Sequence, residues 1–410
     1  MKNCERCALL LILLLPCLPQ ATEIKEFTLS DITAIGLKQN PLISAKRSEI
    51  EARKSAYQAS QRLVNPQLEF HMGQAESHDK LIKRDTEGVS LSQRIENPFA
   101  RHHRIRISEE DWKATEYQYS TLVLNVTFEI KELFHRILLL KEKGDLAQKN
   151  LDSIKKIHSL IKRRASLGEV RELESIKLYV ETLKAQNELS RIKTRLKLAQ
   201  ENLNAYLGNF LPPDFSVTGD LDYAPLNADE QTLLERALNT HPRIKEKEAF
   251  LNQAENNLSY HRWQRFPDFT LTGFSHKELD GRNTGIGISM DIPLWDFKSK
   301  NIAEAENLYM RQSDELKSLK LTLSTEIKSK LRNLRLSEET LNTFHTGLLK
   351  QAEESLKISE VSYTQGEISL IDYLDSQRTY YSILNEYQDS LYDWNVNKAA
   401  LEKDIGEELQ

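Results

Sequence analysis

The punctuation of this sequence is duplicated, and that limits the fold more than any other feature. The 410 residues contain only 14 glycines and 11 prolines, yet Pro41 recurs as Pro242 and Pro66 as Pro267, each 201 positions on. Pro98 is answered by Pro293 after 195 positions, and Gly168 and Gly208 by Gly366 and Gly406 after 198. Breakers that fall twice in the same order mark an internal repeat. Ala34-Ile35-Gly36-Leu37-Lys38-Gln39-Asn40-Pro41 matches Glu235-Arg236-Ala237-Leu238-Asn239-Thr240-His241-Pro242 in the same way. Residues 22–210 read as one repeat, 211–228 as a linker seamed at Leu211-Pro212-Pro213-Asp214, and 229–410 as the second repeat.

Composition narrows the class. With 29% charged and 39% hydrophobic residues the chain is too polar for a bundle of membrane-spanning helices, and its scarce Gly and Pro favour long helices. The balance of 56 basic against 61 acidic residues, net -5, offers no basic surplus for nucleic acid. Residues 1–21 read as a secretory signal: Lys2 and Arg6 precede the apolar run Ala8 to Leu15, which stops at Pro16, short of a membrane span. All three cysteines, Cys4, Cys7 and Cys17, fall in this leader. One C-x-x-C is a weak metal signal there, and Cys17 is an alternative site of lipid attachment.

Within each repeat the expected order is helix, two strands, very long helix, return helix. The strands, about 66–74, 87–96, 267–276 and 284–292, show a period of two. Leu68, Phe70 and Met72 alternate with Gln67, Glu69 and His71, and Ile286, Ile288 and Met290 with Gly285, Gly287 and Ser289. Nine or ten residues suffice for a tilted strand to cross a bilayer, although a soluble hairpin resting on a core gives the same alternation. If the strands do cross, four cannot close a pore, so several chains must share one barrel. From Pro98 to Gly168 and from Pro293 to Gly366, uninterrupted helices of about 100 Å are expected, turning near 168 and 366. Apolar seams such as Ala185, Leu189, Ile192, Leu196, Ala199, Leu203 and Tyr206 read as packing between helices.

This arrangement resembles the TolC family of outer membrane efflux proteins, over essentially the whole chain after the leader. The most specific text is Ser362-Tyr363-Thr364-Gln365-Gly366-Glu367-Ile368-Ser369-Leu370-Ile371-Asp372-Tyr373-Leu374-Asp375, which looks like that family's periplasmic tip signature. Arg164 to Val170 is its first-half counterpart. Val64 to Phe70 and Val89 to Glu96 are similar to the heavy-metal cation efflux branch. The resemblance implies a mainly helical fold with a small β part, a homotrimer with a twelve-stranded transmembrane barrel, and a helical tunnel through the periplasm. It also implies contact with outer membrane lipid, a periplasmic adaptor and an inner membrane pump of the RND type. It implies a passive conduit in the outer membrane of a Gram-negative type envelope, with no enzymatic activity and no cofactor.

Carried over by position, Asp372 and Asp375 would ring the inner end of the tunnel, Tyr363 would help hold it closed, and Gly168 and Gly366 would form the tip turns. A carboxylate just after a hairpin glycine also suits an ordinary helix start. Ile368 and Glu174 depart from the family pattern, where a basic residue and an Asp are usual, which places the lock between helices in question. No hydrolase elbow, phosphate loop or His-Glu-x-x-His is present. His102-His103 sits among Arg101, Arg104 and Arg106, where a basic collar is a simpler account than a metal site. Two alternatives stay open: a channel for drugs or secreted protein, and a periplasmic coiled-coil scaffold with no pore.

Overall fold

A computed structural model describes residues 25–226 and 229–409; the expected signal peptide and its cysteines lie outside them. A short strand β1 (Lys25–Phe27) leads into α1 (Leu29–Gln39) and the proline-started α2 (Pro41–Ser60). A hairpin follows, β2 (Gln67–Glu76) and β3 (Lys83–Ile95), then α3 (Pro98–Ser166) and the return helix α4 (Glu172–Tyr206). After β4 (Phe215–Val217) the pattern recurs as α5 (Glu230–Thr240), α6 (Pro242–Trp263), β5 (Phe269–Lys277) and β6 (Arg282–Met290). The second descent is α7 (Ser299–Thr343), a π-helical turn at Phe344–Leu348 and α8 (Leu349–Gln365), and α9 (Leu370–Ile405) returns.

The two descents are not equivalent. Helix α3 runs unbroken for 69 residues, whereas the single helix expected from Pro293 to Gly366 starts late and is interrupted. The Asp296 carboxylate accepts from the Lys298 backbone N–H at 2.9 Å, and Lys298 takes a left-handed conformation, so the chain turns before it enters α7. At Gly347 the backbone leaves helical geometry altogether. The segment expected as a linker contains β4, which pairs in parallel with β1 in the register Lys25 to Phe215 and Phe27 to Val217.

The repeat is clearest where its helices meet. Asn40 and His241 each cap a helix that begins with proline, the placement proline favours. Asn40 Oδ1 accepts from Leu42 N–H at 2.8 Å while its Nδ2 donates to the Tyr206 carbonyl at 3.0 Å. His241 does the same with its ring: Nδ1 accepts from Arg243 N–H at 3.1 Å, and Nε2 faces the Lys403 carbonyl at 3.2 Å. Each cap thus ties the start of one helix to the end of the return helix. Gly208 and Gly406 stop those return helices in left-handed conformations that a side chain rarely adopts.

The four long strands form one antiparallel sheet in the order β2-β3-β5-β6, so the two halves are joined through β3 and β5. Register sorts the faces. Leu68, Leu91 and Ile286 share one side with Phe70, Val89, Leu271 and Ile288, while Gln67, Ser92, Thr272 and Gly287 make a row across the other. The first ladder continues to Glu76 and Lys83, beyond the expected strand ends. Among the described residues no helix covers the apolar side: Met72 is 88% exposed and Ile286 80%. Beside the strand ends, Trp263 stacks on Phe99 and Trp295 stands 92% exposed.

The main core lies around the middle of α3, where β1, α1, β4 and α5 wrap α3, α4, α7 and α9 over Ile130, Phe134, Ile137, Leu203, Leu331 and Trp394. His135 is buried on α3, with no hydrogen-bond partner at Nδ1. Burial, and then the Lys131 charge, bring its imidazole down to about 4 from an ordinary 6.5. Folded chains keep it neutral where unfolded chains protonate it, so its contribution is complete above pH 6.5 and is lost as pH falls toward 4. That loss is on the order of 3 kcal/mol. Denaturant titrations at pH 7 and 4.5 should show His135→Gln losing less stability on acidification than wild type; an equal loss would remove His135 from the pH response. Asn40→Ala strips a cap and leaves the Tyr206 carbonyl unpaired, so a destabilisation of about 1–2 kcal/mol is expected in the same titration.

Candidate functional site

The end of the molecule distant from the sheet is built from two hairpin turns of one kind. At the first, Gly168 N–H donates to the Ala165 carbonyl at 3.0 Å and Glu169 N–H to Arg164 at 3.0 Å; at the second, Gly366 donates to Tyr363 at 3.1 Å and Glu367 to Ser362 at 2.9 Å. This pair of bonds stops a helix when the residue after its end is left-handed, and both glycines are, at φ 78° and 83°.

Between the hairpins lies a small separate core of Ile157, Ile161, Leu178, Tyr363, Leu370, Tyr373 and Leu374, with Val170 and Ile368 packed against it. Tyr363 is only 7% exposed and stacks on Tyr373 with ring centroids 5.3 Å apart. Its hydroxyl donates to Glu174 Oε2 at 3.3 Å. Burial, and then the Glu174 carboxylate, hold that hydroxyl far above the usual phenol range, so it stays a donor. Arg164 donates to the Thr364 carbonyl, Arg378 reaches Glu181 at 2.7 Å, and Gln377 donates to Asn150 at 3.0 Å. Apart from the Tyr363–Tyr373 stack within the second hairpin, each of these contacts ties the first hairpin to the second.

Asp372 and Asp375 lie one helical turn apart on the exposed side of α9, opposite Tyr373, Leu374 and Gln377. Asp372 belongs to a capping box: Ser369 Oγ donates to Asp372 Oδ2 at 2.7 Å, Ser369 N–H donates to the same oxygen at 3.1 Å, and Asp372 N–H donates to Ser369 Oγ at 3.3 Å. The Ser369 hydroxyl, and then its N–H, hold the carboxyl below the usual range. Helix start and anionic surface are therefore one arrangement. Glu174 stands 198 positions before Asp372, the offset of the tip glycines, yet it reaches across to Tyr363 while its own helix begins at Arg171 with no side-chain cap. The shared offset marks Glu174, already singled out in the sequence as a departure at the lock between helices, as the first-half counterpart of Asp372. Of the two adjacent histidines, His103 pairs through Nδ1 with Asn256 Oδ1 at 2.9 Å. Among the described residues no group of three or more His, Cys, Asp or Glu is gathered round a point that could hold an ion.

Comparison with known proteins agrees with this architecture. The family model described as "Outer membrane efflux protein" matches residues 35–209 and 233–407, one match per repeat. The cobalt-zinc-cadmium resistance protein CzcC of Cupriavidus metallidurans is 22% identical over 88% of this chain and 85% of its own length. The pyoverdine export outer membrane protein OpmQ of Pseudomonas aeruginosa is 23% identical over 75% of this chain and 67% of its own. Among solved structures, CusC superposes with a TM-score of 0.79 at 15% identity, covering 94% of this chain and 93% of the other. Proteins of this family are passive channels, not enzymes. With the family model matching most of each repeat and the fold shared, the chain belongs to the outer membrane efflux protein family.

Proposed function

We propose that three copies of this chain form a conduit through the outer membrane, docked on a periplasmic adaptor and an inner membrane pump of the RND type, and that it exports heavy-metal cations. The observation that carries the assembly is the uncovered apolar face of a sheet whose outer strands, β2 and β6, have no partner on one side. In lipid an unpaired backbone group costs several kcal/mol, and four strands enclose no lumen, whereas three such sheets edge to edge make a closed ring of twelve. The exposed Trp295 and the Phe99–Trp263 pair suit the headgroup level. The cargo reading is supported by the likeness to the cobalt-zinc-cadmium protein along nearly the whole chain.

The tip supplies the gate. Six exposed carboxylates in a trimer, Asp372 and Asp375 from each copy, would repel one another and attract cations at a constriction. The Tyr363–Glu174 bond and the core beneath it hold the two hairpins of each copy together, opposing that repulsion. Movement through the tunnel is passive, so the gate sets when the path is open and favours cations over anions, without choosing among cargo molecules.

After a high-salt wash the protein should remain with outer membranes, and crosslinking should stop at the trimer; release into the wash would favour a scaffold without a pore. A strain lacking the gene should be sensitive to zinc, cobalt or cadmium, whereas sensitivity confined to dyes, bile salts or antibiotics would assign the channel to organic cargo. In planar bilayers Asp372→Ala/Asp375→Ala should move the reversal potential in a KCl gradient toward zero, and an unchanged potential would remove these carboxylates from the pore. Tyr363→Phe takes away a hydrogen bond to a carboxylate, worth about 1.5–3 kcal/mol per copy, and should raise open probability. Equal open probability would mean that stacking alone holds the tip.

A further inference from the structure

On the polar face of the sheet one row differs from the others. His71, Gly88, His276 and Asn283 lie side by side across β2, β3, β5 and β6. Gly88, between the two histidines, makes room for their approach: a Cβ there would stand 2.0 Å from His276 Nδ1. The imidazole of His276 therefore lies over the β3 backbone, its ring centroid 5.7 Å from that of His71. Phe274 stacks on its other side at 5.2 Å, and Phe274 lies flat only because Gly285 beside it has no side chain, a Cβ there meeting the ring at 2.9 Å. Two glycines and a phenylalanine thus steer one histidine toward another.

A carboxylate completes the set. Glu69, one row along on the same face, has Oε2 3.5 Å from His71 Nε2 and 3.5 Å from Ser90 Oγ, and its Oε1 accepts from Gln67 Nε2 at 2.9 Å. Two imidazoles bound to one tetrahedral ion, with metal–nitrogen distances near 2.0 Å, set their ring centroids about 5 Å apart, a small side-chain movement from the separation here. As they stand the three groups do not converge on one point, and Glu69 must turn about its side-chain bonds to join the two rings.

We propose that His71 and His276, brought together over Gly88 and completed by Glu69, form a transit site for borderline divalent cations of the Zn2+ and Co2+ kind. Imidazole with one carboxylate suits these ions; Ca2+ and Mg2+ need oxygen ligands throughout, and Cu+ and Ag+ need thiolate or thioether. Soft ligands are scarce on this face: of the four methionines, Met72 lies on the apolar side with Phe70, and Met290 there with Phe269. An exposed site with few protein ligands releases its ion readily, as passage requires. The site rests on the reading that the polar face lines the barrel interior, where three copies would stand.

The test uses the full-length protein in lipid nanodiscs, titrated with Zn2+ by calorimetry and with Co2+ by visible absorption. About one ion per chain is expected, with binding weakened about tenfold or more by His71→Gln, by His276→Gln and by Gly88→Val, and unchanged by His102→Gln/His103→Gln. Full binding in the first three variants, or Ca2+ binding as tight as Co2+, would overturn the site. A separate readout tests the barrel: in a background without Cys4, Cys7 and Cys17, a membrane-impermeant maleimide should label Ser289→Cys on the polar face and spare Ile288→Cys on the apolar one, both positions being exposed in the single chain. Labelling as expected with binding intact in the histidine variants sinks the site alone. The reverse labelling pattern sinks both the barrel interior and the site.

Discussion

Backbone hydrogen bonding at the rim of an oily sheet is the constraint to which the rest of this molecule answers. The strands β2, β3, β5 and β6 satisfy one another in a single antiparallel array, yet among the described residues the outer sides of β2 and β6 face no partner and no helix covers the apolar surface. A chain in water would hide such a sheet against its own helices, and here the helices lead away from it. Charged and polar residues dominate their outer faces, while their apolar positions gather in seams around α3. Strand surface and helix surface are thus addressed to different solvents, and the residues that separate them are the proline and glycine breakers.

Duplication supplies the frame, and departures from it carry the specialised features. Asn40 and His241 perform one task with different chemistry, joining a helix start to a helix end in both halves. Where the halves differ, one copy was free to change: Asp372 caps its own helix while Glu174 crosses to Tyr363, and α3 runs straight where α7 and α8 are separated by a π-helical turn. Inside a helix such a turn often accompanies function, because it rotates everything beyond it.

Much of this was legible in the sequence because breakers and periodicity act locally. Pro98 and Gly168 bracket α3 closely, and alternation at Leu68, Phe70 and Met72 assigned the faces of β2. Other features depend on partners far along the chain. Gly347 sits in a run that reads as helix, and the ring contacts next to it, Phe344 with Tyr387 and His345 with Tyr223, join residues far apart in the chain. The expected order of helix, two strands, very long helix and return helix has no place for the short helices α1 and α5, and β1 and β4, three residues each, are too brief to show a period. At the tip the glycine turns could be read directly. The partnership of Tyr363 with Glu174 could not, because no local rule links residues 189 positions apart.

The ribbon of β1 and β4 has a consequence for the order of events during export. A secreted chain emerges from its amino end, so Lys25–Phe27 arrive early and remain without a partner until Phe215–Val217 follow. By then the whole first repeat is available, including the hairpin β2–β3. Pairing in parallel at that moment encloses the first repeat between its own ends, ahead of the second. A ribbon so placed would act as a clasp timed by chain length, keeping two repeats of one plan from exchanging helices while the later one is still being delivered.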